Sequence, residues 1–152
     1  ASAAQSWCPK VAVSKVEKPN VRGKRRFSAT RSTDLLFHVV FRNNFDSEHV
    51  VTLKVFTPKG HIYRQYDVPV TSDSSKRSGA MKQLDGYPYP VKVQAANPVE
   101  VDGVKKKVVD IRFPVAGSTI VTSSLYGKWR VELYLDDATE PCGQPRFFRI
   151  LE

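Results

Sequence analysis

The stretch Leu125-Tyr126-Gly127-Lys128-Trp129-Arg130-Val131-Glu132-Leu133-Tyr134-Leu135-Asp136-Asp137 decides the fold class. Trp129, Val131, Leu133 and Leu135 alternate with Arg130, Glu132, Tyr134 and Asp136. A period of two puts the first set on one face of an extended strand and the second on the other. Leu125-Tyr126-Gly127 turns the chain into the strand, and Asp136-Asp137 turns it out. A short loop leads to Phe147-Phe148-Arg149-Ile150-Leu151, and the two segments read as the last hairpin of an antiparallel β-sandwich.

The same alternation recurs upstream. Val11 and Val13 suggest a first strand, ended by Lys18-Pro19-Asn20, and residues 20–33 read as a long basic loop carrying Phe27. Leu35, Phe37, Val39 and Phe41 mark a second strand, closed by Asn43-Asn44. Segments 50–57 and 61–70 form a hairpin around Thr57-Pro58-Lys59-Gly60, with Pro and Gly where a type I turn prefers them. Residues 71–86 are too long for a simple connection, and loops of that length tend to carry function. Tyr87-Pro88-Tyr89-Pro90 leads into a strand over 91–95 whose prolines argue for a sheet edge. Asn97-Pro98 breaks that strand, and Val101-Asp102-Gly103-Val104 is a turn. Val109, Ile111 and Phe113 mark a further strand, and 116–127 is a Gly/Ser/Thr linker. No amphipathic helix of useful length and no internal repeat is found. The expected architecture is all-β, an immunoglobulin-like antiparallel β-sandwich forming one domain over residues 1–152, with 1–6 as a flexible tail.

The closing hairpin resembles that of exported bacterial immunoglobulin-like proteins of unassigned function. These carry Gly-x-Trp-x-Val-Glu-x-Tyr-x-Asp, a short loop, then Phe-x-Ile. Here the positions are Gly127, Trp129, Val131, Glu132, Tyr134, Asp136, Phe148 and Ile150. Residues 56–63, Phe-Thr-Pro-Lys-Gly-His-Ile-Tyr, look like the companion phrase of that family. The resemblance covers about half the chain and implies a sandwich and an exported setting. It transfers no catalytic residue. The basic 10–31 stretch and the 71–107 region depart from the family pattern, so a special role is expected there.

Cys8 and Cys142 lie near opposite ends of the chain. The first and last strands of a sandwich often lie close together, so a disulfide is expected, the alternative being two independent thiols. On the chain-entropy model so long a loop is worth up to ~5 kcal/mol. Small residues such as Ala1-Ser2-Ala3-Ala4 flank signal-peptidase sites, although an expression remnant reads the same way. With the cysteines, they lead to an expected periplasmic or secreted location. No apolar run approaches the ~20 residues of a membrane helix.

The formal net charge is +9. Arg22, Lys24, Arg25 and Arg26 place four cations in five positions, and Lys105-Lys106-Lys107 adds three. Such a field favours anionic polymers, whereas the plainer reading is a solubilising surface. Tyr63, Tyr66, Tyr87 and Tyr89, with Arg77, form a candidate partner surface, the amphipathic rings suiting an interface. Catalytic signals are missing. There is no Gly-x-Ser-x-Gly and no phosphate-cradling glycine loop. Asp136-Asp137 suits turn capping better than the spaced acids of a glycosidase. His38, His49 and His61 are 11 and 12 residues apart without ligand spacing and read as surface or strand-face side chains. No enzyme activity, metal or cofactor is expected. The expected function is a non-catalytic binding or structural module of the cell envelope or secreted space that engages a protein partner. The alternative is a binder of anionic polymers (acidic glycan, lipopolysaccharide or nucleic acid, the last not expected) through its basic surface.

Overall fold

The computed structural model describes residues 8–16, 19, 23–29, 34–42, 48–72, 79–115 and 117–152. In chain order the strands are β1 (Lys10–Lys15), β2 (Arg26–Ser28), β3 (Asp34–Arg42), β4 (Glu48–Phe56), β5 (Ile62–Thr71) and β6 (Met81–Lys82). There follow β7 (Val91–Lys92), β8 (Gln94–Ala95), β9 (Asn97–Val101), β10 (Val104–Pro114), one helical turn α1 (Thr119–Thr122), β11 (Gly127–Leu135) and β12 (Arg146–Leu151). The protein is all-β. Four strands pair in the order β1-β3-β10-β9 and six in the order β2-β12-β11-β4-β5-β8, with β6-β7 a small separate pair. Among the described residues no helix is long and apolar enough to cross a membrane.

The alternation read in the sequence is the burial pattern observed. Trp129, Val131, Leu133 and Leu135 are buried on β11, and Leu35, Phe37, Val39 and Phe41 are buried on β3. These two rows belong to different sheets and share one apolar core. The junction is aromatic. Phe37 and Phe113 of the four-stranded sheet meet Trp129 and Phe148 of the six-stranded sheet, with centroids 5.9 Å apart for Phe113–Trp129 and for Phe37–Phe148. Trp129 is fully buried, and its indole N–H donates to the Leu125 carbonyl at 2.9 Å, so burying the ring strands no donor. The turn that leads into the strand therefore also satisfies its largest side chain.

The hairpin over 48–71 closes at Thr57–Gly60, where the Gly60 N–H donates to the Thr57 carbonyl at 2.9 Å. Its register shifts between Val55 and Phe56. Such a bulge re-aims the side chains beyond it, and Tyr63 packs edge-on against Trp129 at 5.3 Å. Asp102 and Gly103 both hold positive φ, at 53° and 77°, as a two-residue hairpin loop between β9 and β10 requires.

Four expectations need correction. The 20–33 segment is not all loop, because residues 26–28 form β2, which runs parallel beside β12 and buries Phe27. Gly23 makes this path work. It holds φ 78°, and a Cβ there would lie 2.9 Å from the Val13 nitrogen. Within 71–86, Met81 and Lys82 pair with β7. Asn97-Pro98 ends β8 but also opens β9, so the chain changes sheets at the buried Ala96. Pro98 is tolerated because β9 is an edge. The 116–127 linker contains α1, whose Ile120 enters the core under an N-cap from Ser118. The strands pair antiparallel except at two edges, where β2 and β8 join parallel. The expected tail at 1–6 lies outside the described residues.

Cys8 and Cys142 are bonded, with Cα atoms 5.6 Å apart across a sequence separation of 134. The bridge joins the entry to β1 with the loop before β12, as their placement near the two ends implied.

Truncating Trp129→Ala removes a ring that touches both sheets, so stability should fall by about 3–5 kcal/mol. Urea unfolding measures it. An unchanged midpoint would mean that the ring does not hold the sheets together.

Candidate anion-binding surface

β12 alternates around a buried stripe. Phe148 and Ile150 face the core, and Phe147, Arg149 and Leu151 face out. The ladders then set the neighbours of Arg149. Lys128 on β11 lies directly across from it on one side, and Arg26 on β2 lies across on the other. All three side chains are exposed. Strand spacing makes this a row of three cations over about 10 Å. Like charges placed opposite each other repel, and none of the three is in an ion pair among the described residues. Arg25 lies beside them and accepts the Arg149 N–H through its carbonyl at 2.7 Å. The row borders a groove of about 500 Å³, lined also by Arg25, Arg146, Phe147 and Phe148, with no carboxylate in its lining. Phe147 is 42% exposed, and the Lys128 ammonium sits 4.4 Å from its ring centroid.

Arg146 lies behind this row and lines a second, larger cavity of about 800 Å³ at the disulfide end. Its Nε is out of water and lacks a hydrogen-bond partner. Burial, and secondarily the Arg25 guanidinium, hold Arg146 below the ordinary arginine range.

The sequence candidates divide. Lys24, Arg25 and Arg26 are exposed, and Arg22 lies outside the described residues. Lys105, Lys106 and Lys107 lie on β10 in the other sheet, with Lys105 opposite Glu100 and Lys106 opposite Arg42. The two basic clusters therefore do not form one patch. Only Lys106 reaches toward the first cluster, by sharing the larger cavity with Arg146. Lys128, Arg146 and Arg149 were not among the candidates. The signal for Lys128 and Arg149 was their parity opposite Trp129 and Phe148. Nothing local marks Arg146.

The tyrosines do not form one surface either. Tyr63 and Tyr66 pack against the core. Tyr87 donates to Asp67 Oδ2 at 2.6 Å, and the Thr52 hydroxyl donates to Oδ1 at 2.7 Å. These groups border a polar cavity of about 480 Å³ that also takes in Lys54, Tyr134 and Asp136. Tyr89 stands free at 77% exposure, and Arg77 lies outside the described residues.

Tertiary structure also builds two histidine–carboxylate contacts that no spacing announced. His49 Nδ1 meets Asp136 Oδ2 at 2.5 Å, while Asp136 Oδ1 accepts the Val50 N–H at 2.9 Å, so this turn aspartate clamps β4. His38 Nδ1 donates to Asp110 at 2.5 Å, and its Nε2 lies 2.6 Å from the Ser14 hydroxyl. This Ser–His–Asp order is that of an activated nucleophile. Ser14, however, is 1% exposed mid-strand on β1 and lines none of the cavities above. The three groups instead tie β1, β3 and β10 together, running from buried Ser14 and His38 to the exposed Asp110. His38 is thus a buried strand-face residue. Among the described residues no cluster of three metal-ligating groups occurs.

No protein-family model matches the chain, and no curated protein matches it.

Tyr87 is pushed up to about 12, first by burial and then by its hydrogen bond and charge contact with Asp67. The unfolded phenol titrates near 10.0, so this contribution to stability is complete below that pH and is lost as pH rises through about 12. Tyr87→Phe should therefore trail wild type in urea midpoint at about pH 9, and the gap should shrink by about pH 11.5. A gap independent of pH would show that the phenol makes no such contact.

Proposed function

We propose that this chain is an exported domain of immunoglobulin-like β-sandwich type, akin to the exported bacterial proteins its closing hairpin resembles. It acts as a non-catalytic binding module of the periplasm, envelope or secreted space. Its ligand is an anionic polymer, held on the face built by Arg26, Arg149 and Lys128. The single observation that carries this reading is that row of cations, opposite one another on three adjacent strands with no carboxylate lining their groove. A polymer laid across the strands relieves the repulsion at each position and releases its own counterions. The exposed ring of Phe147 adds an apolar contact beside the charges. An exported setting favours an acidic glycan, including the anionic saccharide of lipopolysaccharide, over nucleic acid. The disulfide supports that setting.

A protein partner is the second reading. It is favoured by exposed Tyr89 and Met81, at 77% and 59%, on the 79–92 segment away from the cationic row.

Heparin chromatography across a salt gradient separates the two. Wild type should be retained at low salt. Arg26→Ser, Lys128→Ser and Arg149→Ser combined should elute early, with a salt slope shallower by about 2–3, and should keep the wild-type melting temperature because exposed charges contribute little to folding. Wild type that flows through at low salt would remove the polymer reading and leave the protein-partner reading.

A further inference from the structure

The larger cavity has a composition that the polymer face does not need. It lies at the disulfide end, where the start of β1, the end of β3, the β9–β10 hairpin and the loop before β12 converge. Its volume, about 800 Å³, falls in the range of small-molecule sites. Four cations line it, Lys10, Arg42, Lys106 and Arg146, and no described carboxylate does. Apart from Gln144, the other side chains are apolar: valines, prolines, Phe41, Leu133 and the disulfide itself. Lys10 and Arg42 are exposed, whereas Lys106 and Arg146 are half-buried beside the apolar wall. Cations gathered around an apolar wall are complementary to a molecule that is itself divided in the same way.

Arg146 fixes where the charged end goes. Strand parity on β12 places it on the side of Phe148 and Ile150, opposite Arg149, while Arg146 also borders the groove of the cationic row. There it is half-buried and repelled by the Arg25 guanidinium, and its Nε is out of water with no acceptor. A buried, unmade hydrogen bond to a charged donor is costly, and an oxyanion accepting it would remove that cost. The loop that delivers Arg146 is held in place, since Cys142 is bonded to Cys8 and Gly143 holds φ 77° against the Cys8 side chain. The site is therefore anchored to the fold at both ends of the chain.

We infer that this cavity binds a small amphipathic anion, with its phosphate, sulfate or carboxylate head on Arg146 and Lys106 and its apolar body against the valines and the disulfide. The site shares Pro145 and Arg146 with the groove of the polymer face but is otherwise lined by different residues, and it stands whether or not that face binds glycan. The same chemistry is presented by a free alkyl anion or by a single-chain lipid, and the probe below represents both.

Calorimetry with n-octyl phosphate below its micellar concentration tests this, with inorganic phosphate and neutral n-octyl glucoside as controls. Octyl phosphate should bind 1:1, at least tenfold tighter than either control. Arg146→Gln and Lys106→Gln should each weaken it, Arg146→Gln by tenfold or more. Val101→Trp, which fills the cavity from a half-buried position, should weaken it without changing heparin retention. Lys128→Ser should leave it unchanged. Inorganic phosphate binding as tightly as octyl phosphate would overturn the amphipathic assignment. No saturable binding to wild type, or binding lost in Lys128→Ser but kept in Val101→Trp, would overturn the site while leaving the polymer reading intact. If Arg146→Gln fails to fold, Lys106→Gln and Val101→Trp still decide between these outcomes.

Discussion

The structure depends on the burial of Trp129 between two sheets without loss of its hydrogen bond. Two sheets pack stably only where their facing side chains interlock, and here the interlock is a cluster of rings. Phe37 and Phe113 from one sheet meet Trp129 and Phe148 from the other, and Tyr63 leans in through a bulge. Aromatic side chains bury large areas, and edge-on contacts add to that burial. The indole donor would undo part of this gain were it not satisfied by the Leu125 carbonyl.

The same packing aims the charges. Phe148 and Ile150 point inward because the core requires them, and period two then leaves Arg149 and Phe147 no choice but to point out. Trp129 does the same for Lys128, and Phe27 for Arg26. A hairpin and one strand distant from it in sequence thus place cations opposite one another. The protein accepts that repulsion on a rigid sheet rather than dispersing it over loops, and this is why the face reads as a binding surface. The disulfide has a comparable effect at the other site. It joins the chain's first strand to the loop before its last, and that loop delivers Arg146.

Much of the fold was legible locally. The β11–β12 hairpin, the β4–β5 hairpin with its Pro-Gly turn and the Asp102-Gly103 turn are short-range features, settled by side-chain alternation and by residues that accept turn dihedrals. The misses were long-range. A three-residue strand at 26–28 exists only because β12 offers it a partner. Asn97-Pro98 has the look of a breaker, yet an edge position lets it begin a strand. The site was legible in smaller part. Charge density along the chain pointed to Arg25 and Arg26, but it grouped Lys105–Lys107 with them although these lie on the other sheet. The Ser14–His38–Asp110 chain joins residues 24 and 72 positions apart, a separation no motif could bridge.

By itself, then, the sequence determined which residues alternate, where the chain turns, that the class is all-β, and that the excess charge is positive. These follow from each residue's own backbone preferences and polarity. Tertiary structure alone decided which strands beyond the local hairpins lie side by side, and hence that Arg26 joins Lys128 and Arg149 in one row while Arg146 also borders a cavity. Register between distant strands is set by how the buried rings fit together, and that fit does not exist until the sheets have closed on each other.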